Sequence, residues 1–193
     1  MPAIDRRKQV LDAAAKSFSL FGYKATTMDQ VAKIANVGKG TIYTFFANKE
    51  ELFDEILRSV LAEMKAVVLR EIHEDQTFFD KLYKGLDVLL DFRSEHGLLV
   101  KLAQEVRDFG TVQAQEAMQR VENVILDYIE RQVVYAVQQG EMRETDPKVV
   151  SFIMLKLYIA LSLDWSKQHE PLDKEEIKQY FRIILGEGFA LRA

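Results

Sequence analysis

The residues whose types and spacing could do chemistry lie close together, in the run Lys39-Gly40-Thr41-Ile42-Tyr43-Thr44-Phe45-Phe46. Lys39, Thr41, Tyr43 and Thr44 are hydrogen-bond donors within two helical turns. Ile42 and Phe46, four residues apart, make an apolar edge on the other side. Gly38 and Gly40 leave backbone bare where a phosphate can approach, and free N–H groups at a helix start favour an anion. This is the chemistry of recognition, not of bond breaking. Such a helix, held by its back and polar at its front, suits the major groove of DNA. Bond-breaking chemistry has little to work with. The chain has no cysteine, and His73, His96 and His169 stand far apart, so neither thiolate catalysis nor a zinc site is expected. Nucleophile–histidine pairs, phosphate-binding loops and dinucleotide fingerprints are missing from the sequence, so no enzyme and no cofactor is expected.

An eight-residue helix does not repay its own nucleation in water, so its neighbours must hold it. Thr27 caps the helix before it, with Gln30 completing a capping box, and Met28, Val31, Ala32 and Ala35 recur at helical spacing. Asn36-Val37-Gly38 supplies the turn. Asn48 opens a long helix, with Glu51 at its capping-box position. Ahead of these, Asp5 to Phe21 reads as a helix ended by Gly22, its stripe Val10, Leu11, Ala14, Phe18 and Phe21 backing the pair. Arg6, Arg7 and Lys8 either reach DNA backbone or form a solvated basic arm. Spacing alone leaves two readings open, a helix-turn-helix that enters DNA and a plain α-hairpin corner.

The run Phe18 to Thr27 (FSLFGYKATT), then Val31-Ala32, then Val37 to Glu50 (VGKGTIYTFFANKE), resembles the DNA-binding head of the tetracycline-repressor (TetR) family over roughly the first 55 residues. Gly38 stands where members often carry Ser or Ala. Phe45 stands where they often carry a phosphate-contacting His or Tyr, and it has no hydrogen to donate. The resemblance implies DNA contacts from Thr27, Gly38, Lys39, Gly40, Thr41, Tyr43, Thr44 and Lys49. Of these, Lys39, Thr41 and Thr44 are expected on base edges or nearby phosphates, and Tyr43, Thr27 and Lys49 on the backbone.

Net charge of −4 argues against a nucleic-acid binder, but the average hides an asymmetry. Residues 1–50 carry eight Lys/Arg against four acids, and the remainder carries 18 against 26. A basic head on an acidic body fits a DNA-facing end, and chance scatter of surface charge is the plain alternative. The sequence shows neither a signal-peptide pattern behind its basic N-terminus nor the roughly 20 uninterrupted apolar residues of a membrane span. A cytoplasmic protein with no membrane partner is expected.

Beyond residue 48 every segment has helical period. The long helix to about Ile72 carries Leu52, Phe53, Ile56, Leu57, Val60, Leu61, Met64, Val67 and Val68, and it can act as a lever between head and body. Helices follow from Phe78, from Leu98 and from about Thr111, broken at Ser94 to Gly97, near Gly110 and at Gly140. Asp146-Pro147 starts a helix to about Gln168 that is apolar on nearly every side, and Asp173 with Glu176 opens a last one through Ile177, Tyr180, Phe181, Ile184, Leu185 and Phe189. The fold is read as all-α with about nine helices, a head over 1–48 and a ligand-binding and dimerisation body over 49–193. The last two helices are expected to meet their copies in a four-helix bundle, giving a homodimer on a palindromic double-stranded DNA operator.

The family resemblance implies a small-molecule pocket in the body. Met64, Glu105, Phe109, Tyr128 and Trp165 are its candidate lining, although at helical spacing such residues also read as core or interface. Glu105 either faces inward to meet a cation or a hydroxyl, or lies at the edge beside Lys101. Leu98 to Asp108 resembles the corresponding part of fatty-acyl-responsive members, so the expected effector is small and lipophilic, drug-like or fatty-acyl. The leading expectation is a ligand-responsive repressor. Its alternative is a helical dimer whose head binds protein.

Overall fold

The computed structural model describes residues 5–73 and 75–186. The described residues contain no strand and nine α-helices. These are α1 (Arg6–Ala25), α2 (Met28–Ala35), α3 (Lys39–Tyr43), α4 (Lys49–Glu71), α5 (Phe78–Glu95), α6 (Gly97–Asp108), α7 (Val112–Gln138), α8 (Pro147–Ile159) and α9 (Lys174–Phe181). The expected Phe189 lies outside the described residues. The chain forms two compact units, Met1–Ala66 with Phe92–Gln119, and Val67–Asp91 with Arg120–Ala193.

In the first unit, apolar positions at helical spacing converge on one core. Phe18, Tyr23 and Phe53 meet edge-to-face or stacked, with ring centroids 4.9 to 6.2 Å apart, beside buried Val10, Val31, Ile42, Phe46, Leu52 and Leu57. Helix α6 packs along α1 and adds Leu98, Leu99 and Leu102. Caps follow the sequence closely. Asp5 accepts from the Lys8 amide, Thr27 from the Gln30 amide at 3.2 Å, and Asn48 from the Glu51 amide at 2.8 Å. The Glu51 carboxylate reaches back one residue further than a capping box requires, to the Ala47 amide at 2.7 Å.

Of two expectations about α1, one is met and one changes. The helical path breaks at Gly22 (φ 79°, ψ 179°), as expected, and a short helical piece then carries the segment on to Ala25. Phe21 is exposed instead of backing the head: it lies on the side of α1 that lines a cleft beside α6, while Tyr23 two residues on is buried in the core.

The second unit has its own core, built from Phe78 and Leu86 of α5, Val133 and Ala136 of α7, Val150, Met154, Leu155 and Tyr158 of α8, and Ile177, Phe181 and Leu185 at the end of the chain. Asp146 caps α8 ahead of Pro147, and Asp173 with Glu176 forms a reciprocal capping box on α9. Lys174 joins Asp91 at 2.7 Å and Lys178 joins Asp87 at 3.0 Å, tying α9 to α5.

Helix α8 continues through wider π-type turns over Ala160–Asp164, where the Ser162 hydroxyl donates to the Tyr158 carbonyl at 2.6 Å, and then through Trp165–Lys167. One stretch passes a looser test for a membrane span than the uninterrupted apolar run that the sequence lacks. Pro147–Lys167, 21 residues with a mean hydropathy of 1.5 in its most apolar window, is long and apolar enough to cross one by length and composition alone. Its apolarity has two places in the fold: one side fills the core, and Val149, Phe152 and Ile153 are exposed on the other.

Candidate nucleic-acid interface

The turn between α2 and α3 is made by Asn36, in the left-handed region (φ 51°, ψ 47°), with its amide bonded to the Ala32 and Lys33 carbonyls. Gly38 is in ordinary extended backbone (φ −66°, ψ 146°), so the left-handed residue of the turn is the asparagine. Helix α3 ends at Tyr43, earlier than Phe46. The Thr44 hydroxyl donates to the Thr41 carbonyl at 2.6 Å, and the Phe45 amide bonds Ile42 with a tightened i−3 step. Phe46 still donates to Ile42, so one further turn completes the apolar edge. Ile42 and Phe46 are both buried, while Tyr43 is 46% exposed and Lys39, Gly40 and Thr44 face solvent. Thr41 and Phe45 are half-buried.

The glycine at position 40 is not demanded by the chain's own packing. A Cβ there meets nothing within 4 Å. Its bare backbone faces outward from α3, beside the expected donors.

Lys39 is already paired. Its amine is 2.7 Å from the Asp29 carboxylate in the first turn of α2, with both side chains more than half exposed. The hydrogen bond to Asp29 raises the Lys39 pKa above the ordinary lysine value. Asp29 is a site residue that sequence reading missed, although an acid two residues after an N-cap is a recognisable signal of a helix-start partner. Lys49 is also engaged. Its amine donates to the Tyr23 carbonyl at 3.0 Å and lies 4.1 Å from the centre of the Tyr23 ring. Thr27 caps α2, and Arg7 bonds Glu55 at 2.9 Å while lying over the Phe46 ring. Arg7 is thus a brace between α1 and α4, not a free arm. The Tyr23 hydroxyl donates to Glu50 at 2.7 Å, which holds the Glu50 pKa below the ordinary carboxylate value.

The candidate effector residues divide between the units. In the first, Met64 and Glu105 are buried and Phe109 is exposed, its ring carrying the Lys24 amine at 4.2 Å. Glu105 faces inward and not toward Lys101. It accepts from the Lys24 amide on both oxygens, at 3.1 Å each, and from the Thr111 hydroxyl at 2.6 Å. An open cleft of about 370 Å³ lies beside it, lined among others by Phe21, Lys101 and Phe109. In the second unit, Tyr128 is half-buried and burial raises its pKa. There too, the Trp165 indole donates to the Glu170 carbonyl at 3.0 Å and stacks on His169. Among the described residues no cluster of metal-ligating side chains occurs.

A capped helix, a tight asparagine turn and a second helix with a buried back and a polar front define a helix-turn-helix, the class of DNA-binding element the spacing suggested. Comparison with known proteins names the family. Residues 10–56 match the model of bacterial regulatory proteins of the tetR family. Over 188 residues the chain is 48% identical to the Bacillus subtilis protein described as the uncharacterized HTH-type transcriptional regulator YhgD, covering 97% of this chain and 98% of that one. The chain belongs to the tetR family of transcriptional regulators and is not an enzyme.

Two solved structures share the fold. AibR in complex with isovaleryl coenzyme A and operator DNA aligns with a TM-score of 0.67 at 23% identity, over 92% of this chain and 96% of that one. The SmeT–triclosan complex aligns with a TM-score of 0.76 at 19% identity, over 97% and 93%.

Proposed function

We propose that the protein is a repressor that binds a palindromic operator as a homodimer and is released by a small lipophilic effector. The observation that carries this reading is the mounting of α3, with Ile42 and Phe46 in the core and Lys39, Gly40, Tyr43 and Thr44 turned outward. Lys39, Thr41 and Thr44 are assigned to base edges or nearby phosphates. Tyr43, Thr27 and Lys49 take the backbone, with Gly38 and Gly40 allowing close approach. Residues 1–48 act as the DNA-binding head and 49–193 as the effector and dimerisation body. A protein that works on DNA in this way belongs in the cytoplasm.

The dimer is assigned to α8 and the end of the chain. Val149, Phe152 and Ile153 on α8, and Tyr180, Ile183 and Ile184 on the last helical stretch, repeat the same i, i+3, i+4 spacing and are all exposed. Two apolar stripes in one unit suit a two-fold contact in which each meets its copy. Met64, Glu105, Phe109, Tyr128 and Trp165 are the proposed effector contacts. The neighbours' isovaleryl coenzyme A and triclosan support an acyl or drug-like effector. To act, that effector must bind the released conformer more tightly than the DNA-bound one.

Selection of duplexes from a random library by the purified protein tests the reading. The expected product is a sequence with two-fold symmetry, bound by a dimer with a steep salt dependence. Recovery of no preferred duplex, with binding insensitive to salt, would favour a head that binds protein.

A further inference from the structure

Glu105 is 5% exposed, and its carboxylate joins three segments of the first unit. It sits on α6. Both of its oxygens lie 3.1 Å from the Lys24 amide, in the stretch that carries the chain from α1 toward α2. The Thr111 hydroxyl, just ahead of α7, donates to it at 2.6 Å. The residue opposite is held to glycine by its own backbone. A Cβ on Gly22 would stand 2.6 Å from Glu105 Oε2, and Gly22 adopts φ 79° and ψ 179°, a conformation reserved almost wholly for glycine. At the start of α6, a Cβ added to Gly97 would stand 3.6 Å from Ser19 Cβ, so α6 approaches α1 closely at two points.

The Lys24 amide lies three residues before Thr27, the N-cap of α2. Between them Thr26 is fully buried, with its hydroxyl 3.1 Å from that of Ser17. The corner that aims α2 and α3 is therefore gripped from two sides, by Ser17 within α1 and by Glu105 from α6. A buried carboxylate that accepts several hydrogen bonds is costly to leave half-satisfied, so its partners are held to one geometry.

We infer that Glu105 is a positioning residue for operator recognition, which holds the α1–α2 corner in the DNA-reading attitude from α6 without itself touching DNA. This deepens the DNA-binding proposal and rests on it. The head can then be released by moving α6 by about an ångström, which carries the 3.1 Å bonds to the Lys24 amide beyond hydrogen-bond range. It also gives Glu105 a role distinct from direct effector contact.

The experiment compares the parent with Glu105→Gln, Glu105→Ala and Thr111→Val. Affinity is measured for a duplex the parent has selected and for a random duplex of equal length, at a temperature where circular dichroism shows each variant folded. Binding-competent protein is counted by titration. Glu105→Ala is expected to lose at least tenfold in affinity for the selected duplex, with Glu105→Gln in between and Thr111→Val losing a few-fold. Random-duplex affinity stays within twofold for all three, because the phosphate-facing cations are unchanged. If Glu105→Ala does not fold, Glu105→Gln and Thr111→Val carry the test. Unchanged affinity per competent dimer, even with a lowered melting temperature, overturns the inference and leaves Glu105 a stabilising contact only. Equal losses on both duplexes overturn it as well. A parent that selects no duplex overturns the DNA-binding reading instead.

Discussion

Lys39, the first residue of the recognition helix, holds its amine 2.7 Å from the carboxylate of Asp29 on the helix before it. The cation that sequence reading placed on DNA thus has an internal counter-ion, and any phosphate it meets must compete with that carboxylate. An exposed pair of this kind contributes little to stability. Its consequence is in binding. Asp29→Asn should leave the melting temperature nearly unchanged and strengthen binding to random duplex by roughly two- to fivefold, the effect of removing one nearby negative charge in high dielectric. A salt titration of the variant beside the parent checks this, and equal affinities would show that Lys39 does not meet phosphate.

Gly40 gives a prediction in which stability and binding part company. A Cβ at this position meets nothing within 4 Å, and alanine is favoured over glycine in a helix by about 1 kcal/mol. Gly40→Ala should therefore fold at least as stably as the parent while binding the operator several-fold more weakly, because the methyl group stands where the DNA backbone approaches. Denaturant melts and operator titration measure the two effects separately. A variant that gains stability and binds equally well removes Gly40 from the interface.

Acid should act on the head through Glu50. Its pKa lies below the ordinary carboxylate value, first because the Tyr23 hydroxyl donates to it. A carboxyl with a depressed folded pKa contributes stability above its unfolded pKa and loses it as pH falls through the folded value. The loss then belongs in the window below the ordinary value of 4.5. Tyr23→Phe should lower stability at neutral pH and flatten this part of the acid limb. Urea melts across the window, parent against variant, test it, and parallel curves would mean that the bond contributes nothing.

How much of this was legible beforehand depends on whether the cause was local. The caps at Thr27, Asn48, Asp146 and Asp173 are local chemistry, and each holds where the spacing put it. The paired burial of Ile42 and Phe46 follows from helical period and is also met. The misses are tertiary. The exposure of Phe21 depends on which side of the last turn of α1 the head core covers. The choice of Glu105 between a hydroxyl and Lys101 is decided by Lys24 and Thr111, 81 and 6 residues away. The Lys39–Asp29 pair joins two helices across a turn whose geometry Asn36 sets, and no periodicity reports that.

The dimer proposal is tested at Phe152, which is 52% exposed, and at Ile184, which is also exposed. Neither side chain is needed to fill the core, so the double variant Phe152→Glu/Ile184→Glu should keep its helix content. Like charges from both subunits, buried together at a two-fold contact, should drive the species to monomer in sedimentation. Operator affinity should then fall by at least a hundredfold as avidity disappears. A dimer of unchanged strength would place the contact elsewhere.

Reading of duplex DNA by the outward side of α3 underlies every proposal above. The most direct measurement is a salt titration of binding to the selected duplex by the parent, Lys39→Ala and Tyr43→Phe, with sedimentation run in parallel. Both variants should remain dimeric and bind more weakly. Lys39→Ala should also lower the salt slope by about one unit for each phosphate that the lysine no longer neutralises. Variants that match the parent in affinity and slope at every salt concentration would show that this side of α3 does not meet DNA.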